Sequence, residues 1–192
     1  MLVLAVGLVL FLGMHSVSIL MPSLRATVIE RGGSLGAWKW PYVFVSVVGM
    51  VLIVLGYAQA RAHPIMLYSP LAGWRYLALA LMVPVFTLLV AAYMPGQIRS
   101  TVRHPMLIAT VLWGSSHLLV TGSLAAVALF GGFVLWALAD IISTNRRAKM
   151  RNVLVPLQTS KRHDILAIMA GLALYALTVL ELHYYLFGVN PI

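Results

Sequence analysis

Six apolar stretches, each about 20 residues long and separated by short polar connections, constrain this chain more than anything else in it. They run over approximately residues 2–21, 41–60, 75–94, 105–121, 124–142 and 165–187. A helix of about 20 apolar residues spans the roughly 30 Å of hydrocarbon in a bilayer. The expected fold is therefore all-α: a polytopic membrane protein, a bundle of about six transmembrane helices forming one domain over residues 1–192. Composition agrees, since 62% of the 192 residues are hydrophobic and 9% charged, against about 25% charged in a soluble domain. Pro22, Pro95 and Pro105 fall at segment ends, where proline stops or starts a helix at little cost. Pro84 lies inside the third stretch, where neighbouring helices can tolerate a kink.

The net charge of +9 could suggest nucleic acid in a soluble protein. Here its distribution reads as an orientation signal. Arg25, Arg31, Lys39, Arg99, Arg103, Arg146, Arg147, Lys149, Arg151, Lys161 and Arg162 fall in the first, third and fifth connections, and only Arg61 and Arg75 in the second. Basic connections stay cytoplasmic, which puts both termini on the outer side of the membrane. The partners implied are the lipid bilayer and anionic lipids at the basic loops, above all the fifth at 143–164; nucleic acid is not among them. Cysteine is absent, so a disulfide framework, a thiolate metal site and a thiol nucleophile are all excluded. The first stretch has neither a basic leading region nor a small-residue cleavage site and reads as a retained helix.

Histidine carries the remaining chemistry. His104 and His117 are thirteen positions apart, which on a helix is a rise of about 20 Å and a rotation of about 220°. They cannot bind one metal ion together. His104 follows Arg103 and precedes Pro105, so it takes the N-cap position of the fourth span. There, exposed backbone N–H groups and the helix dipole favour an anion such as a phosphate, a carboxylate or a haem propionate. The plainer reading of His104 is a polar residue at the membrane interface. His117 lies about 18 Å along the same helix, among Gly114, Ser115 and Ser116. An ionisable group at that depth is costly and marks a functional site, or else bonds to a hydroxyl on a neighbouring helix. His15, between Gly13 and Ser16 in the first span, has a similar setting. Two buried histidines without cysteine or carboxylate suit haem iron better than hydrolytic zinc, which takes three protein ligands. On straight helices the two differ in depth by about 9 Å, a gap that tilt can absorb. His63 and His163 read as solvated, His183 with Glu181 as interfacial, and Asp140 as within reach of water or Arg146.

Several motifs resemble the NnrU family of six-span membrane proteins. They are Gly13-Met14-His15-Ser16, Val45-Ser46-Val47-Val48-Gly49 leading to Gly56-Tyr57, Arg103-His104-Pro105-Met106-Leu107, Leu112-Trp113-Gly114-Ser115-Ser116-His117-Leu118, Phe130-Gly131-Gly132-Phe133 and Asn145-Arg146-Arg147. The resemblance implies an accessory role in the nitrogen-oxide metabolism of denitrifying bacteria, with a respiratory or redox partner. It also implies kinship with the haem-b-containing zeta-carotene isomerase, a redox-gated isomerase. By that kinship His15 and His117 are the axial ligands of haem b, and His104, beside Arg103, is a nearby essential or alternative ligand. Two other classes compete. Arg-His-Pro opening a late membrane helix also resembles isoprenylcysteine methyltransferases, which bind S-adenosylmethionine there, but their following Tyr and Gly and downstream acidic pair are missing. A non-enzymatic accessory or assembly protein would use the same histidines for packing or proton relay.

Overall fold

The computed structural model describes residues 1–21, 23–151 and 160–192. Pro22 and the part of the fifth connection at 152–159 lie outside the described residues. Ten α-helices form, with no strand among the described residues: α1 (Leu2–Leu20), α2 (Leu24–Arg31), α3 (Gly36–Ala62), α4 (Trp74–Ala91), α5 (Gln97–Val102), α6 (Pro105–Val120), α7 (Leu124–Ala126), α8 (Gly132–Arg151), α9 (Lys161–Leu177) and α10 (His183–Phe187). π-Helical turns at Val127–Gly131 and Thr178–Leu182 join α7 to α8 and α9 to α10. Five of the resulting rods are long and apolar enough to cross a membrane, and α6, at 16 residues, is the shorter sixth. The protein is thus an all-α, multi-pass membrane protein.

The helices depart furthest from the apolar stretches at α3 and α8. α3 begins at Gly36, five residues before Pro41, and takes the proline inside at the loss of one backbone hydrogen bond. α8 continues to Arg151, well past Ile142, so residues 143–151 of the expected fifth loop are helix. Its extension is held by Arg147, which reaches Asp140 at 3.6 Å, Thr144 Oγ1 at 2.9 Å and the Ser18 carbonyl at the end of α1 at 2.8 Å. The partner of Asp140 is therefore Arg147, not Arg146. Seven residues bring a helical side chain back to within about 20° of its starting face, and six leave it about 120° away.

The pattern of burial is that of a lipid-solvated protein. The most buried apolar residues are largely alanines, among them Ala109, Ala126, Ala137 and Ala167, while Phe44, Trp40 and Leu135 are about 70% exposed. Small side chains let helices approach when lipid removes the hydrophobic incentive to bury large ones.

The chain forms two compact units, each drawn from two stretches: Met1–Ser69 with Gly122–Arg147, and Pro70–Thr121 with residues 148–192. In the first unit, α1 and α3 run antiparallel with their backbones in contact. A β-carbon on Gly7 would lie 2.6 Å from Ile53 N, one on Gly49 2.8 Å from Phe11 N, and one on Gly56 would overlap the Leu4 amide. The contact thus extends over two turns of each helix. Ile65–Tyr68 returns against Gly122–Leu124, with Leu67 N donating to Gly122 O at 2.8 Å and Leu124 N to Ile65 O at 2.7 Å. Ser123 then caps α7 through Ala126 N.

In the second unit α4 is central. Val85 and Leu88 pack with Ala109 of α6, flanked by Ile98, Val102 and Trp113. On the α9 side, a β-carbon on Gly171 would meet the Thr87 backbone at 2.5 Å, and the Tyr175 hydroxyl donates to Leu79 O at 3.1 Å. The short helix α5 is pinned at its N-terminus by Asp164 of α9, whose carboxylate accepts from Gln97 N at 2.9 Å and Ile98 N at 3.0 Å.

Candidate functional site

His15 and His117 share one local design. In the first unit, His15 donates Nδ1–H to the carbonyl of Phe11, one turn back, at 2.7 Å, a tautomer assigned from that bond. The Phe11 ring stacks on the imidazole at 4.2 Å, with Tyr42 of α3 at 5.2 Å and Trp136 of α8 edge-on at 5.9 Å. The α1–α3 backbone contact sets this register, because Tyr42 continues along α3 the series that pairs Gly49 with Phe11. Trp136 Nε1 is buried and makes no hydrogen bond among the described residues. A buried indole N–H without an acceptor costs free energy, so this corner has a donor in place for a group it does not itself supply.

In the second unit, His117 repeats the arrangement. Its Nδ1 donates to Trp113 O at 2.7 Å, and the Trp113 ring stands 5.3 Å from the imidazole. Ser116 Oγ donates to the same carbonyl at 2.8 Å. The Trp113 ring packs against the Val85–Leu88–Ala109 core, which fixes the turn that holds the imidazole. Because α6 ends at Val120, His117 occupies its last turn. With Nδ1 protonated, the lone pair of each imidazole is on Nε2, as in histidines that bind metals through Nε2 while Nδ1–H is held by a carbonyl.

The structure also brings to His117 a residue that the sequence reading placed at the interface. The His183 ring lies 6.4 Å from that of His117, with the two planes inclined by 29°. His183 Nδ1 donates to Val189 O at 2.8 Å. Gly188, in the left-handed conformation (φ +67°), ends α10 and turns the chain so that this carbonyl comes back. The π-helical turn before His183 explains why helical spacing hid it. Ala167, Gly171 and Tyr175 follow one face of α9, and the extra residue of a π turn carries that face forward to 183 instead of 182.

Arg103 and His104 stand at the other end of α6. His104 is the N-cap and Pro105 the first helical residue, as the sequence indicates. The preceding connection is not an ordinary one: Arg103 has φ +60°, ψ −46°, and His104 N donates to Val102 O at 2.7 Å. This is a classic γ-turn, rare and strained for a residue with a β-carbon. Arg103→Gly should therefore raise stability by up to about 1 kcal/mol while removing the charge. Thermal unfolding in detergent checks this; a less stable glycine variant would mean that the guanidinium holds the turn in place.

Of the four expected cofactor residues, His15 belongs to the first unit and Arg103, His104 and His117 to the second, where α6 separates His104 from His117 along its length. Among the described residues, no group of three or more His, Asp or Glu side chains is placed to hold a metal ion. His163 donates to Pro95 O at 3.3 Å instead of being purely solvated. No curated protein and no solved structure shows significant similarity to the chain. The NnrU protein family model, in contrast, matches residues 3–191. With nearly its whole length matched, and with six apolar helices in the structure, the chain belongs to the NnrU family of membrane proteins.

Proposed function

We propose that this NnrU-family protein is a haem-b-binding redox protein of the bacterial inner membrane, with both termini on the periplasmic side, serving nitrogen-oxide metabolism beside a respiratory partner. The observation that supports it most is the shared design of His15 and His117. Each is half-buried in an apolar helix, held through Nδ1 by the carbonyl four residues back, and flanked by the aromatic ring of that same residue. That design presents Nε2 to a metal at low entropic cost. The donor set fits haem iron, which needs one or two imidazoles because the macrocycle fills its other positions.

In this reading His15 and His117 each offer Nε2 to iron. Phe11, Tyr42 and Trp136 surround His15 within the first unit, and the unpaired Trp136 N–H can donate to a carboxylate or water there. Arg103 and His104, at the positive end of the α6 dipole, are the residues proposed to hold an anionic group. Bound haem supplies one-electron chemistry; the chain's own part is to set the ligands, keep water away and orient the flat group. The basic ends of the helices face anionic lipid.

The test is an absorption spectrum of protein purified from haem-replete cells, oxidised and reduced. A Soret band that weakens in His15→Ala and in His117→Ala is expected. A colourless, metal-free preparation overturns the reading.

A further inference from the structure

The second unit holds a pair of imidazoles whose geometry points beyond packing. His117 and His183 are not in face-to-face contact. Their planes are only 29° apart while their centres are 6.4 Å apart, against about 3.5–4.0 Å for touching atoms. Each ring is fixed by an Nδ1–H bond to a backbone carbonyl, at 2.7 Å for His117 and 2.8 Å for His183. Both therefore carry their lone pair on Nε2. With metal–nitrogen bonds of about 2.0 Å and roughly 1.1 Å from nitrogen to ring centre, two imidazoles opposite each other on one ion have centres about 6.2 Å apart. At the tetrahedral angle the same bonds give about 5 Å. The observed 6.4 Å is closer to the opposed spacing than to the tetrahedral one.

We propose that His117 and His183 are the two opposed ligands of one transition-metal centre within the second unit. The donors are two neutral nitrogens, among the described residues no group of three or more His, Asp or Glu side chains is placed to hold a metal ion, and the surrounding helices are apolar. A bare divalent ion is disfavoured there by desolvation. A centre of low net charge with two opposite open positions suits the pair, and two sources have that chemistry: iron already neutralised by a porphyrin, and a monovalent, two-coordinate ion of the copper(I) or silver(I) type. For the iron source the inference rests on the haem reading above but puts His183 in the place given there to His15; for the bare ion it stands without it. Imidazole is a suitable donor to both iron and copper.

The experiment titrates detergent-solubilised full-length protein, stripped of metal, with hemin in one arm and with silver(I) in the other. Wild type should give either a six-coordinate, low-spin hemin spectrum or one tightly bound silver ion per chain. His183→Ala should convert the hemin spectrum to five-coordinate high-spin, or weaken silver binding at least tenfold. His183→Gln, which keeps the side chain's bulk, should do the same, and circular dichroism with size exclusion checks that both variants fold. Silver binding that depends on His117 and His183 beside a silent hemin arm upholds the pair and removes the haem reading. A low-spin hemin spectrum that survives both His183 variants but collapses in His15→Ala keeps the haem reading and overturns the pair. Wild-type silver binding and hemin spectra in both His183 variants, or no response to either probe in wild type, also overturn it.

Discussion

Gly56→Ala should cost the protein about 3 kcal/mol, and Gly56→Leu should prevent the first unit from assembling at all. The reason is where the added atoms would go. A β-carbon at Gly56 would overlap Leu4 N and lie 2.6 Å from Leu4 Cα and 2.8 Å from the Val3 carbonyl carbon. All three are backbone atoms of α1, which cannot rotate aside as a flexible side chain can. Relief requires α1 to retreat by about 1 Å, and a gap of that size forfeits a quarter to a half of the dispersion energy at each contact it opens. The loss would extend along the interface, because Gly7 and Gly49 hold the same two backbones together. Overpacking alone costs about 1–3 kcal/mol, and the opened contacts add to it. Gly13 provides the control. It is on α1, the helix that Gly56 packs against, but has nothing within 4 Å of its added β-carbon, so Gly13→Ala should be neutral or stabilise by up to about 1 kcal/mol. Unfolding in mixed micelles, followed by circular dichroism, measures both. If Gly56→Ala unfolded no more easily than Gly13→Ala, the α1–α3 backbone contact would be wrong. The consequence reaches the candidate site, since this contact holds His15 against Tyr42, and any cofactor bound at His15 should be held less well as stability falls.

Much of this architecture can be read from residues in order. Length and apolarity alone locate the membrane helices, and Pro105 marks where α6 starts and makes His104 its N-cap. His15 and His117 stand out because an ionisable side chain in an apolar helix has to be justified by a partner. What could not be read depends on rotation and distance. The pairing of Gly56 with Leu4 needs the register of two helices, which no local pattern encodes. His183 was hidden by the extra residue in the π turn at Thr178–Leu182, which shifts the buried face of the last helix by one position. One local signal was available and not used: Phe11 and Trp113 each stand four residues before a histidine, and Phe187 four residues after one, which puts ring beside ring on one helical face. Asp164 gave no signal, because its partners lie more than sixty residues earlier.

Asp164 carries the second large effect. Read along the chain it is one charge in a basic, surface-like run, Lys161-Arg162-His163-Asp164. In the second unit its two carboxylate oxygens accept from Gln97 N and Ile98 N, satisfying two of the amide donors that a helix start leaves without partners. Gly96 makes room for it, since a β-carbon there would collide with the Asp164 carboxylate. Ser160 N and His163 Nδ1 both donate to Pro95 O, so the start of α9 grips Pro95, Gln97 and Ile98. Hydrogen bonds to a charged group are worth about 1.5–3 kcal/mol each when buried. These are partly exposed, so Asp164→Ala should destabilise by about 2 kcal/mol in total, and Asp164→Asn, which keeps one acceptor oxygen, by about half as much. Gly96→Ala should match Asp164→Ala, because its methyl group evicts the carboxylate. The double variant should then cost little more than either single one, a coupling that a double-mutant cycle in detergent reads directly. Full additivity would refute the clamp. The effect should also travel forward, because Ile98 and Val102 of α5 pack on the core and lead straight into the strained turn at Arg103. With α5 unpinned, that turn loses the framework that holds it, so any anion bound at Arg103 and His104 should bind more weakly in Asp164→Ala although neither residue has been touched.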